Sequence, residues 1–257
     1  GNSTDAEVDV LWGDAQEARL TLIHTIPDPG CTDTTEKTIT IHPLPEVGIS
    51  GDTAVCHGSE IKYQADQADA SQFNWIVTNG TILGSKIDST VDIQWNSVGE
   101  GNVKLIQTKS QTGCADSTDI DILINPLPEV GIIGENDVCQ GSISNYQANK
   151  TDSSLFKWIV TNGTIQGTDN QKTVKVFWQE DGKGKIKLIQ TNIETGCVDS
   201  SETNITINPT PDVEIEGEES VCVHHEALFE ASNTDNRKTE WHTYNGTING
   251  PANSRKV

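Results

Sequence analysis

The chain has 257 residues, in which 38 Asp and Glu stand against 17 Lys and Arg for a formal net charge of −21. That acidity argues against nucleic acid, which is held by Lys and Arg on phosphates, and against an anionic membrane surface. No apolar stretch reaches the roughly 18 residues of a spanning helix, so none is predicted.

From the N-terminus, Val8-Asp-Val-Leu-Trp12 alternates apolar and polar residues and predicts a strand with one apolar face. Cys31 and Pro43-Leu-Pro45 follow, then Val55-Cys56, Tyr63 and the octapeptide Trp75-Ile-Val-Thr-Asn-Gly-Thr-Ile82. Asn79-Gly80 within it predicts a type I′ hairpin, whose two central residues need φ > 0. Val91-Asp-Ile-Gln-Trp95 alternates again, Val103-Lys-Leu-Ile-Gln-Thr108 predicts the next strand, and Asp119-Ile-Asp-Ile-Leu-Ile124 follows the turn at Thr112-Gly-Cys114. At Pro126-Leu-Pro128 the order starts over, with Cys139, Trp158, Asn162-Gly163, Val174-Lys-Val-Phe-Trp178, Ile186–Thr191 and Cys197. After Pro209-Thr-Pro211 it starts a third time, through Cys222 to Trp241 and Asn245-Gly246.

The step is 83 residues throughout: the octapeptide returns unchanged at Trp158, and Cys56, Cys139 and Cys222 share the step with Cys31, Cys114 and Cys197. The expected organisation is the C-terminal half of a repeat over 1–42, complete repeats over 43–125 and 126–208, and the N-terminal half of a repeat over 209–257. Gly1 aligns with Gly84, Gly167 and Gly250, and Val257 with Val174, Val91 and Val8, so the chain starts and stops at one phase of the repeat. Two expectations follow: a segment of a longer polypeptide, or a subunit whose open half is completed by the next chain, as in donor-strand assembly.

Short segments punctuated by Gly, Asn and Pro, without sustained 3.6 periodicity, predict an all-β chain of small sandwiches. Trp12, Trp75, Trp95, Trp158, Trp178 and Trp241 fall on the apolar faces and are expected in the cores, where burying each ring contributes about 2–3 kcal/mol. The joints, such as Ile124-Asn-Pro-Leu-Pro-Glu-Val130, contain no Gly, and their prolines hold the chain extended. A stiff end-to-end rod is therefore expected.

Pro-x-Pro, Val55-Cys56-x-Gly58, Tyr63, Trp75, Asn79-Gly80 and Gly113-Cys114-Ala-Asp116-Ser together resemble the PKD-like Ig-fold tandem repeats of Bacteroidota-type secreted and cell-surface proteins, many exported by the type IX system. Trp-Ile-Val-Thr-Asn-Gly stands where the better-known PKD signature has Trp-Asp-Phe-Gly-Asp-Gly. The resemblance implies tandem Ig-like/PKD-like β-sandwiches at a bacterial cell surface, in adhesin- or gliding-type stalks. It also implies O-glycans at sites such as Asp52-Thr53-Ala54.

Six Cys at fixed spacing in small β repeats point to an oxidising, extracellular setting. The first expectation is Cys56–Cys114 and Cys139–Cys197 within the units, with the partners of Cys31 and Cys222 outside the segment; each such loop stabilises by roughly 4 kcal/mol. Ig topology offers Cys56–Cys197 as an alternative between successive units. A 25-residue spacing would pair Cys31 with Cys56, Cys114 with Cys139 and Cys197 with Cys222.

Chemistry-bearing motifs are sparse. His24, His42, His57, His224, His225 and His242 do not recur at the period, and no nucleophile elbow, phosphate loop or zinc-protease motif occurs. On a strand the adjacent His224 and His225 would face opposite ways. Asp33, Asp116 and Asp199 recur two residues after a Cys. They are the calcium candidates, with a solvated turn-capping Asp as the alternative. Sequons stand at Asn2, Asn79, Asn149, Asn162, Asn204 and Asn245, where turn chemistry is expected rather than glycans. No catalytic residue, no cofactor other than calcium and no enzyme activity are expected. The function expected is a structural stalk or filament segment projecting other domains, its partners being further repeats of the same polypeptide or head-to-tail copies. The alternatives are a carbohydrate- or protein-binding module of an adhesin and accessory domains of a secreted hydrolase.

Overall fold

The computed structural model describes residues 6–67, 71–150, 154–232 and 238–249; the register positions Gly1, Gly250 and Val257 and the sequon at Asn2 lie outside them. The chain divides into two compact units: Gly1–Pro128 with Asn192–Val198, and Glu129–Thr191 with Asp199–Val257. All the regular elements among the described residues are strands.

In the first unit, β1 (Glu17–Thr25) and β2 (Thr32–Thr40) form an antiparallel hairpin. The sandwich follows: β3 (Ile49–Ser50), β4 (Ala54–Cys56), β5 (Glu60–Ala65), β6 (Ser71–Thr78), β7 (Gly80–Leu83), β8 (Thr90–Trp95), β9 (Gly99–Lys109) and β10 (Ala115–Asn125). One sheet has the order β3-β5-β8-β7 and the other β4-β10-β9-β6. This is the Ig arrangement, with the first strand split: β3 pairs antiparallel with β5, while β4 runs parallel to β10, Cys56 opposite Asn125.

The core lies between the sheets because period-two strands turn alternate side chains inward. Tyr63, Trp75, Ile93, Trp95, Val103, Leu105, Ile122 and Ile124 fill it. Tyr63 meets Trp95 edge-on, with ring centroids 6.1 Å apart and planes at 83°. The Tyr63 hydroxyl donates to Asp52 O at 2.8 Å and the Trp75 indole to Asp88 O at 2.9 Å, so both polar tips are satisfied.

The second sandwich repeats this plan with β11 (Ile132–Ile133), β12 (Asp137–Cys139), β13 (Ile143–Ala148), β14 (Ser154–Thr161), β15 (Thr164–Ile165), β16 (Thr173–Phe177), β17 (Gly182–Asn192) and β18 (Val198–Asn208). Its sheets are β11-β13-β16-β15 and β12-β18-β17-β14. Tyr146 and Trp178 repeat the edge-on pair at 6.1 Å, and Trp158 is buried as Trp75 is. Two short strands, β19 (Ile215–Glu216) and β20 (Glu230–Ala231), pair beyond it.

Three sequence expectations need correction. Val8–Trp12 forms no strand, because no partner strand flanks it among the described residues as β5 and β7 flank β8. Trp12, 36% exposed, and the half-buried Trp241 therefore do not fill a sandwich core as the other four Trp do.

Asn79-Gly80 is not a hairpin turn. β6 and β7 belong to different sheets, so the dipeptide carries the chain across the sandwich. Only Asn79, at φ 60°, takes the left-handed conformation; Asn162 and Asn245 match it at 58° and 61°. Gly80 is needed for space instead: a Cβ there would lie 2.9 Å from Ile93 Cγ2 and 3.0 Å from Trp95 Cε3.

His224 and His225 are not on a strand. His224 sits in a turn at φ 59°, where the repeat elsewhere has Gly58 and Gly141 at 78° and 77°.

Candidate functional site

The best-defined chemical feature is covalent. Cys56 is bonded to Cys197, with 141 residues between them in sequence and Cα atoms 5.6 Å apart. Cys56 ends β4, and Cys197 lies in the β17–β18 turn, a segment that belongs to the first compact unit. This corrects the first expectation of Cys56–Cys114 and Cys139–Cys197. Strand register is the reason. Cys56 stands beside Asn125, the last residue of β10, whereas Cys114 immediately precedes the first. Eleven residues of extended strand, about 37 Å, part the two ends, far beyond the separation a disulfide spans. Cys139 beside Asn208 is equally remote from Cys197. Cys31, Cys114, Cys139 and Cys222 are free thiols.

The bonded turn is tightly framed. Asn192 N donates to Cys197 O and Gly196 N to Asn192 O, both at 2.9 Å, and Cys197 N donates to Thr195 Oγ1 at 3.3 Å. Gly196 at φ 72° permits that path. At the other end Cys56 O accepts from Ser59 N at 3.0 Å and from Ser59 Oγ at 2.6 Å.

The calcium candidates are occupied locally. Asp33, Asp116 and Asp199 each accept, through Oδ1, the backbone N–H of the next residue at 2.8, 2.8 and 2.7 Å. Each carboxylate thus caps the start of a strand. Among the described residues, no three His, Cys, Asp or Glu side chains come together as a metal site.

The sequons at Asn79 and Asn162 carry structural amides. Asn79 Nδ2 donates to Ser97 O at 3.0 Å and Glu100 O at 3.2 Å; Asn162 Nδ2 reaches Glu180 O and Lys183 O, both at 3.4 Å. A glycan on either nitrogen would break that brace.

Buried polar groups recur in a way the sequence did not signal. Gln107 and Gln190 lie inside, with Nε2 bound to Ser71 Oγ and Ser154 Oγ and with Oε1 unpaired. On the surface, Glu202 accepts from Lys185 at 2.9 Å and pairs with Lys187 at 3.3 Å. These ammonium groups hold its carboxyl below the usual carboxylate range. At the equivalent place in the first unit, Asn102 Nδ2 bridges Asp119 and Asp121 at 2.9 Å each. The exposed face of each unit's sheet is thus chemically distinct, while the cores are copies.

No model of a known protein family matches the chain, and no curated protein does. Solved structures do. The fibronectin(III)-like modules of Clostridium thermocellum CbhA are similar at 14% identity and a TM-score of 0.33, over 70% of this chain and all of theirs. A SusE-like surface-located polysaccharide-binding protein from the heparin utilisation locus of Bacteroides thetaiotaomicron is similar at 10% identity and TM-score 0.37, over 78% of this chain and 45% of that one. The Yersinia pseudotuberculosis adhesin InvE is similar at 12% identity and TM-score 0.24, over 62% of this chain and 60% of its own. With the strand order seen in both units, the chain is an all-β protein of tandem Ig-like sandwiches.

Proposed function

We propose that the chain is a structural segment of an extracellular bacterial surface protein, whose PKD-like repeats form a stiff stalk or filament that projects other domains. The observation that carries this reading is one sandwich built twice from the same core residues, with the Cys56–Cys197 bond inside the first compact unit, a bond that persists in oxidising compartments. A copied core with divergent exposed faces fits repetition for reach better than repetition of one binding site. The Pro-Leu-Pro joint adds the expected stiffness, since fixed φ values and the lack of Gly leave little room to hinge.

Small-angle scattering tests the stalk directly. An extended particle with one dominant length, unchanged between low and high salt, is the expected result. A compact or widely variable particle overturns it. A parallel glycan-binding screen addresses the alternative of a carbohydrate-binding module: retention on one polysaccharide, lost on mutation of exposed sheet residues, would replace the stalk reading.

A further inference from the structure

The outer faces of two equivalent sheets carry opposite charge. In the second sandwich, β17 turns Lys183, Lys185 and Lys187 outward, alternating with the buried Gly184, Ile186 and Leu188. Lys157 stands outward on the neighbouring strand β14 and pairs with Asp169. On β14, β17 and β18 the outward carboxylate is Glu202, shared by Lys185 and Lys187 at 2.9 and 3.3 Å. Lys183 Nζ donates to the neutral Thr206 Oγ1 at 3.1 Å, and Asp137, at the far edge on β12, is engaged by Asn208 Nδ2 at 3.4 Å. In a chain with 17 Lys and Arg against 38 Asp and Glu, this row is a local reversal of sign.

One 83-residue step earlier, the three β17 lysines read Glu100, Asn102 and Lys104, and Glu202 and Asn204 read Asp119 and Asp121. These side chains also point outward, since Gly101, Val103 and Ile122 between them are buried. The bridge from Asn102 Nδ2 to Asp119 and Asp121 is a neutral one, so this face is acidic. Both faces also expose aliphatic side chains. Ile76 and Ile159, at one repeat position, are each 45% exposed, with Leu123 on the first face and Leu155 on the second at 53% and 61%. The cores beneath are closed, so these are outer surfaces of finished sandwiches and not open interiors.

We propose that these faces are a lateral contact between copies of this chain: the β9–β10 face of one copy docks on the β17–β18 face of another. Because the two sheets repeat one plan, their charges stand on one lattice, about 6.7 Å apart along a strand and about 4.8 Å between strands. Stacked sheets pack about 10 Å apart with their strands nearly aligned, within reach of lysine side chains. Lys183, Lys185 and Lys187 then meet Glu100, Asp119 and Asp121, with Ile76 and Ile159 in the apolar part of the contact. First face on first, or second on second, sets like charges together, so the contact joins unlike faces. A stalk can stand singly, so the contact holds or fails independently of the stalk reading. At dilutions where the chain is monomeric, particle length reports on the stalk alone.

The test is sedimentation of the 257-residue chain over a concentration series. Association that grows with concentration is expected at about 0.1 M salt and should weaken at about 1 M, where screening shortens from about 10 Å to about 3 Å. K183E/K185E/K187E makes both faces acidic and E100K/D119K/D121K makes both basic, while each variant stays net negative as a whole. Each alone should associate at least tenfold more weakly than wild type, and an equimolar mixture of the two should associate again. K183Q/K185Q/K187Q, which introduces no new repulsion into the strand, should show the same loss as K183E/K185E/K187E. Three results would overturn the proposal: wild type monomeric at every concentration, undiminished association in either lysine variant, or a mixture no more associated than its parts. Retention of a monomeric wild type on immobilised polyglutamate, lost in K183Q/K185Q/K187Q, would also overturn it and give the basic face to an acidic partner of another kind.

Discussion

Gly101 makes room for Trp95: a Cβ at Gly101 would lie 2.6 Å from Trp95 Cζ3, and one at Gly184 would lie 2.7 Å from Trp178 Cζ3. Neither indole can retreat, since both rings are fully buried and each is met edge-on by a tyrosine. Gly101→Ala should therefore destabilise the first sandwich by about 1–3 kcal/mol through overpacking, and Gly184→Ala should do the same to the second. Urea titrations followed by tryptophan fluorescence check this; a loss below about 0.5 kcal/mol in both would contradict the packing.

Asn79 combines a left-handed backbone with two side-chain hydrogen bonds. Asn79→Gly keeps the backbone and loses the bonds, costing about 1–2 kcal/mol. Asn79→Ala also strains the backbone, adding about 1 kcal/mol. The order wild type, Gly, Ala in thermal stability is the expected outcome, and Ala at or above Gly would contradict it.

Burial pushes the Tyr63 phenol up to about 12, with Asp52 adding to the shift and the Trp95 indole opposing it. The folded value lies above the unfolded one near 10, so the fold holds the proton more tightly. Stability from this group is complete below pH 10 and is lost as pH rises toward 12. Phenolate absorbance should show a slow class appearing only with alkaline unfolding, and Tyr63→Phe should flatten the stability profile over that window. An unchanged profile in Tyr63→Phe would assign the alkaline loss to another group.

Cys56→Ala and Cys197→Ala should each remove the same crosslink, at a cost of up to about 5 kcal/mol by loop entropy for a separation of this length, and the double variant should cost no more. Cys114→Ala should stay within about 0.5 kcal/mol of wild type. Large losses at both Cys114 and Cys139 would restore the within-unit pairing.

The sequence alone determined the repeat, its strands and most of its core. Period-two alternation is a local property, and it placed Trp75, Trp95, Trp158 and Trp178 inward because an alternating strand has only two faces. The recurring Asn-Gly was legible as a left-handed position. Its role was not, because a hairpin and a sheet crossing differ only in which distant strand the next residues pair with. His224 in the place of Gly58 and Gly141 was legible only once the turn was seen.

Tertiary structure alone decided the cysteines and the ends. The parallel register of β4 on β10 puts Cys56 at one end of that strand and Cys114 at the other, and no spacing rule contains that register. Trp12 and Trp241 carry the same sequence signal as their buried counterparts and yet are not enclosed, because alternation specifies which face of a strand is apolar and burial requires another sheet to lie against it.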